Sequence, residues 1–387
     1  MRRFYNKTGI LYVPEEEMNT IEQQAQAGDP SACFKLAQTY IHLHECEDYR
    51  SSAHKLLLKA SEGGVTDADA SIAIMMFKGE IEPYDPIAAA KLLEKAINGR
   101  STLAISFQLR NLLYGRYGYR QNIELVKQTV ESILANNDDP YWCELMGDTL
   151  MTEGKIVESE KWYAKAAEGG EIDSYSNLAL ARGLDDNVEF RDFQAYFDTL
   201  MEGDDAGDLM CSYFLMLDKT YEFDELDPED VEARNESRDL IIKCLELNAD
   251  LHHEMSMELL GDIYREGRLG IPADPLKAWE YYLRGSEFMK AKCFEKMYDM
   301  LLTKEIELAK MSNEDAMDIC MVNGARLHNR KLLIAAVEAY RHGRRLTQFA
   351  REIELYHIPA YEALPDDEPL DEDDDQPDDD GRFDPWA

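Results

Sequence analysis

Long apolar runs are missing from this chain. No stretch approaches the roughly 18 uninterrupted apolar residues that a membrane-spanning helix needs, so no membrane partner is expected. Basic residues are scarce: 41 Lys and Arg stand against 78 Asp and Glu, for a net charge of −37. Such a surface repels phosphate backbones, and no nucleic-acid partner is expected. The seven cysteines are odd in number, irregular in spacing and without a Cys-x-x-Cys pair. That argues against both a disulfide framework and a zinc module. The start, Met1-Arg2-Arg3-Phe4-Tyr5-Asn6-Lys7, carries charge but no apolar stretch behind it. A secretory leader is therefore not expected, and reduced thiols in a cytoplasmic protein are.

Motifs for chemistry are also absent. There is no Walker loop, dinucleotide fingerprint or Gly-x-Ser-x-Gly elbow. His42, His44 and Cys46 alternate, so on a helix His44 points away from the other two and three zinc ligands do not converge. His252-His253-Glu254 lacks the second histidine four residues on that a helical zinc peptidase needs, and reads as a polar helix start. Carboxylate pairs abound, but among 78 acids chance produces them. No catalytic residue, cofactor or metal is expected.

What is present is a period. Gly28, Gly63, Gly99, Leu134, Gly169 and Gly203 form a ladder with steps of 35, 36, 35, 35 and 34 residues. Each rung follows a helix-like apolar run and precedes a fresh helix start. A constant period of this size means one helical hairpin repeated and stacked, not a single globular core. The unit at 138–170 shows the grammar: Asp138-Asp139-Pro140 opens a helix, and Trp142, Leu145, Met146 and Leu150 recur at helical spacing to Gly154. A second helix carries Trp162, Tyr163, Ala166 and Ala167 and stops at Gly169-Gly170, where a left-handed cap is easily adopted. Asp29-Pro30, Asp85-Pro86 and Asp274-Pro275 repeat the start signal. Ala96 and Ala166 sit where small side chains let helices approach.

The clearest unit runs Leu259-Leu260-Gly261-Asp262-Ile263-Tyr264-Arg265-Glu266-Gly267, then Gly270-Ile271-Pro272-Ala273-Asp274-Pro275-Leu276-Lys277-Ala278-Trp279-Glu280-Tyr281-Tyr282. Together with Trp162-Tyr163-Ala164-Lys165-Ala166-Ala167-Glu168-Gly169-Gly170, it resembles the Sel-one-like repeat family, relatives of tetratricopeptide repeats. The resemblance implies an all-α fold, an α/α solenoid of stacked helical hairpins wound as a right-handed superhelix. It also implies a role in assembling protein complexes. Tyr264, Trp279, Tyr281 and Tyr282 cannot all face one way on two helices, so one or two are expected as exposed anchors.

The expected organisation is a lead segment at 1–24, a repeat array at 25–285, C-terminal helices or a cap at 286–358 and an acidic tail at 359–387. The period stretches to 45 residues after Gly203, and Asp218–Ser237 holds nine acids and Pro228, an acidic insertion. From Pro365 to Ala387 there are 12 acids and one base, which predicts disorder. The tail nevertheless ends Phe383-Asp384-Pro385-Trp386-Ala387, which makes Phe383 and Trp386 candidate partner-binding residues. Arg341, Arg344 and Arg345 form the one basic cluster. It is a solvated helix end favoured by the helix dipole, a contact for the acidic tail of the same chain, or a site for an anionic ligand. The function expected is a non-catalytic scaffold that binds a protein, a basic one being favoured, on an acidic surface. An enzyme or enzyme regulator, and an acidic mimic that sequesters a nucleic-acid-binding protein, are the alternatives.

Overall fold

The computed structural model describes residues 2–6, 9–13, 15–43, 49–136, 139–346 and 349–364. Two short strands, β1 (Arg2–Asn6) and β2 (Gly9–Val13), pair antiparallel. They are an addition to the all-α expectation, which holds for the remaining described residues apart from one isolated bridge. The helices then come in antiparallel pairs, and the described chain groups into two compact units that meet in sequence at Ser174 and Tyr175.

In the first unit α1 (Glu15–Gln26) packs on the pair α2 (Pro30–Leu43) and α3 (Tyr49–Glu62). The pairs α4 (Thr66–Phe77) with α5 (Pro86–Asn98), α6 (Thr102–Tyr114) with α7 (Ile123–Leu134), and α8 (Pro140–Thr152) with α9 (Ile156–Glu168) come next. The second unit continues with α10 (Ser174–Gly183), α11 (Phe193–Ala206), α12 (Leu209–Glu225) and α13 (Val231–Asp250). After these come α14 (Glu254–Glu266), α15 (Pro275–Glu287), α16 (Ala291–Leu302), α17 (Asn313–Arg326) and α18 (Arg330–Arg341). A last helical stretch comprises α19 (Ala350–Glu352), a π-helical turn at Ile353–His357 and α20 (Ile358–Glu362).

The Asp-Pro starts behave as their chemistry requires. Proline takes the first helical position, where its missing N–H costs nothing, and the aspartate accepts from a backbone N–H two or three residues on. Asp29 accepts from Ala32 at 2.7 Å, Asp85 from Ala88 at 2.9 Å, Asp139 from Tyr141 at 3.2 Å and Asp274 from Lys277 at 3.1 Å. Helices such as α5 and α7 bury one stripe, whereas α8 is buried at every position from Trp142 to Leu150. In the first unit, small residues occupy the crossings: Ala53, Ala60, Ala89, Ala96 and Ala166 are fully buried.

The ladder glycines divide two tasks. Gly169 has an ordinary helical φ of −79°, but a β-carbon there would stand 2.7 Å from Pro140 Cβ, at the start of the partner helix. Gly170 supplies the left-handed turn, at φ +101°. The rung thus marks the place where a hairpin closes on its own beginning. Gly63 meets Pro30 in the same way. At Gly203 the helix does not stop, contrary to the ladder reading; α11 runs to Ala206 and Gly207 makes the turn at φ +97°. A β-carbon on Gly203 would stand 2.7 Å from Tyr175 Cβ, so this rung is a crossing inside the helix rather than an end.

Residues 218–237 form the end of α12, a short turn and the first turns of α13, so the extra acids lengthen two helices. Order also continues past 358: Ile358, Tyr361 and Leu364 pack on Ala325, Leu333 and Val337. Pro365–Ala387 lies outside the described residues.

Replacing Ala96 or Ala166 with Leu is expected to overpack a crossing and cost about 1–3 kcal/mol. Urea denaturation at one fixed pH measures it. A change within error at both positions would show that these crossings have slack.

Candidate functional site

The same five-residue phrase occurs twice on first helices of hairpins, Glu144-Leu145-Met146-Gly147-Asp148 on α8 and Glu258-Leu259-Leu260-Gly261-Asp262 on α14. Its glycine lets the second helix lay a tyrosine ring against bare backbone. A β-carbon on Gly147 would be 2.6 Å from Tyr163 Cε1, and one on Gly261 would overlap the Tyr282 ring. Both tyrosines are buried, and each hydroxyl donates to the aspartate that follows the glycine. Tyr163 Oη lies 2.9 Å from Asp148 Oδ1, and Tyr282 Oη 2.6 Å from Asp262 Oδ1. A cation from a neighbouring hairpin then completes each cluster. In the first it is Arg110 of α6, which donates to Asp148 Oδ2 at 2.6 Å, Glu144 Oε2 at 3.0 Å and Tyr141 Oη at 3.3 Å. In the second it is Lys296 of α16, 2.7 Å from Asp262 Oδ2 and 3.4 Å from Glu258 Oε1.

Two carboxylates share Arg110 in the first cluster, while in the second Glu258 also faces Lys290 Nζ at 4.0 Å, and burial opposes charge in both. Desolvation drives Glu144 up to about 8, with Arg110 opposing and Asp148, Asp173 and Glu171 adding to the rise. The shift favours the protonated form of Glu144, whose Oε2 accepts from Arg110. Burial disfavours the charge of Arg110, yet Tyr141, Asp148 and Glu144 hold its pKa well above the ordinary value. Burial likewise opposes the charge of Lys296, which Asp262 and Glu258 outweigh. Burial, reinforced by the aspartates, raises Tyr163 and Tyr282, so both stay hydrogen-bond donors. Both oxygens of Asp148 and of Asp262 are engaged by tyrosine and cation, and the clusters join hairpin to hairpin.

The residues singled out from sequence fall in several places. Arg341 ends α18, its guanidinium carbon 4.7 Å from the Tyr361 ring centre and Nη2 3.5 Å from Glu362 Oε1. Arg344 pairs with Asp318 Oδ1 at 2.6 Å and donates to Glu314 O at 2.6 Å. Arg345 is exposed. The cluster is thus divided, with two arginines engaged by the body. Phe383 and Trp386 lie outside the described residues, as do His44, Cys46 and the side chain of His42. His253 stands buried at the residue before α14, with Nδ1 2.8 Å from Ser256 Oγ and its pKa lowered to about 4 by burial. Among the described residues no group of three or more His, Cys, Asp or Glu is placed to hold a metal.

Tyr264, Trp279, Tyr281 and Tyr282 are all buried, so none serves as an exposed anchor. The expectation fails because the neighbouring hairpin covers the outward pair. Tyr281 stacks on Tyr264 at 5.7 Å and donates to Glu246 of α13 at 3.1 Å, and Lys277 Nζ lies 3.9 Å above the Tyr264 ring. Sequence reasoning also passed over the twin Glu-Leu-x-Gly-Asp phrase, which a search at a spacing of several periods finds.

The Sel1 repeat family pattern matches residues 30–65, 66–100, 142–171 and 255–287, and each span covers one helical hairpin. The chain carries Sel1 repeats. Two of the matched spans hold the twin clusters, so the glycine–tyrosine–aspartate lock lies inside the repeat. Similar solved structures include a protective antigen of uropathogenic Escherichia coli strains, c5321, which displays an SLR fold. It is 18% identical with a TM-score of 0.36, over 90% of this chain and 72% of that one. Another is a Sel1 repeat protein from Oxalobacter formigenes, 16% identical with a TM-score of 0.38, over 82% of this chain and 88% of that one. No curated protein sequence matches. Among the described residues, no helix is long and apolar enough to cross a membrane.

Two outcomes are expected from the first cluster. Arg110→Met leaves a buried acid pair without its cation and lowers stability by about 3 kcal/mol, read as a shifted denaturation midpoint; no shift would remove Arg110 from the lock. The raised pKa of Glu144 gives a stabilisation that is complete below about 4.5 and is lost as pH climbs through about 8. Stability of the native chain should therefore fall over that window by more than in Glu144→Gln. Parallel pH profiles for the two proteins would refute it.

Proposed function

We propose that this chain is a non-catalytic cytoplasmic scaffold that holds a basic segment of a partner protein on an acidic helical surface. Sel1 repeats generally mediate contacts between proteins, which supports the scaffold part. The acidic part rests on where the few bases go. Arg110, Arg265, Lys296, Arg326 and Arg344 are each spent on a carboxylate of their own chain. Internal pairing of this kind leaves the acidic excess on the outside, where it steers cationic partners in and turns phosphate backbones away. Asp148 and Asp262 suit a structural role, since both oxygens of each are engaged within the chain. Burial raises the pKa of the Cys33, Cys293 and Cys320 thiols, which fits unreactive core positions in a reducing compartment.

Phe383 and Trp386 are proposed as a short docking peptide at the end of the acidic tail. Arg345, exposed beside the pairs made by Arg341 and Arg344, is the position from which an anion or that tail would be met.

Affinity capture from the native host, full-length beside a 1–364 truncation, at low and high salt tests the reading. Basic proteins should dominate both captures at low salt and weaken as salt rises. Captures free of basic proteins would overturn the acidic-surface reading. Removing 381–387 alone should leave the melting temperature unchanged while a partner is lost; retention of every partner would end the docking-peptide proposal.

A further inference from the structure

The connection between α10 and α11 is built more firmly than a linker needs. Leu184 and Phe190 form an antiparallel bridge across it. The Asp185 carboxylate accepts from the backbone N–H of Asn187 at 2.8 Å and of Glu189 at 3.1 Å, bonds that hold its pKa below the usual carboxylate range. The Arg191 guanidinium donates to Ala181 O at 2.7 Å and Arg182 O at 3.1 Å. Val188 sits at φ +64°, a conformation that a β-branched residue adopts only when its surroundings impose it.

This braced loop and the first residue of α11 present two aromatic rings. Phe190 is 56% exposed and Phe193 58%. Their ring centres are 5.0 Å apart, edge to face. Behind them Phe193 contacts Phe197 at 4.7 Å, and Phe190 contacts the buried Tyr196 at 5.5 Å. Tyr196 is seated in turn on Gly183, where a β-carbon would be 2.6 Å from Tyr196 Cβ. The outer rings are therefore pre-positioned on a packed base, which lowers the ordering cost of binding.

The charge around them selects the occupant. Between Asp185 and Asp205 the chain has eight acids and one base, Arg191, whose guanidinium is turned onto backbone carbonyls. Glu189 and Asp192, exposed, directly flank the two phenylalanines in sequence. A purely apolar partner would have to strip water from carboxylates without replacing their hydrogen bonds. An acidic one, including this chain's own tail with its 12 acids, is repelled. An arginine side chain satisfies both features: its planar face lies over an aromatic ring while its N–H groups reach carboxylates.

We propose that Phe190 and Phe193 form a docking site for an arginine-bearing segment of a partner protein. The inference rests on the acidic-scaffold reading and gives it a location and a recognised side chain. The test uses the full chain and a fluorescent peptide of alternating Arg and Leu, followed by anisotropy. Phe190→Ala/Phe193→Ala should weaken binding about tenfold with an unchanged melting temperature, as expected for loss of a cation–aromatic contact. Phe190→Trp/Phe193→Trp should bind at least as tightly as the native chain, because indole is the stronger cation acceptor. Glu189→Gln should weaken binding less and flatten its salt dependence. Binding to the native chain that the alanine pair leaves unchanged, or that the tryptophan pair weakens, overturns the site but not the acidic scaffold. No binding to the native chain overturns both. If the alanine pair unfolds, the tryptophan pair decides alone.

Discussion

Two helices can shelter each other's apolar faces only where their backbones come close, and small residues at the crossings of this chain permit it. The tyrosine rings of α9 and α15 rest on bare backbone at Gly147 and Gly261, and hairpin ends close on Pro30 and Pro140 at Gly63 and Gly169. A methyl group at any of these positions would push a whole helix outward, because interiors packed to crystal density have little slack. The approach also brings each tyrosine hydroxyl within reach of the adjoining aspartate. Packing thus creates the polar lock.

Scarcity of cations then shapes what remains. With 41 bases for 78 acids, the bases that bridge buried carboxylates are withdrawn from the surface. Arg110 and Lys296 play equivalent parts from different directions, one from the hairpin before its cluster and one from the hairpin after. An arginine that donates to both carboxylates tolerates one protonated member, as the upward shift of Glu144 requires. The exterior keeps the negative excess, and the braced loop and first residue of α11 set two rings within it.

Much of the fold was legible because its signals are local. Asp-Pro at 29, 85, 139 and 274 caps a helix wherever it occurs, since proline's geometry and the aspartate's reach act within one turn. The glycine ladder read correctly as a period. It misled at Gly203, because a glycine needed for a close approach and a glycine needed for a turn look alike in sequence. The four aromatics at 264–282 read as too many for one direction, yet all four are buried, with Tyr281 reaching Glu246 of α13. Phe190 and Phe193 were illegible for the opposite reason. Their spacing fits a buried stripe, and only the fold-back of residues 184–192 turns them outward.

The order of charges, caps and small residues along the chain was enough to dictate paired helices of near-constant length, since those preferences are settled within a few residues. Which carboxylate shares which cation and which glycine bears a ring were decided by neighbours about 15 to 40 positions away. Such contacts exist only after hairpins stack, and no window of sequence contains both partners and the geometry between them.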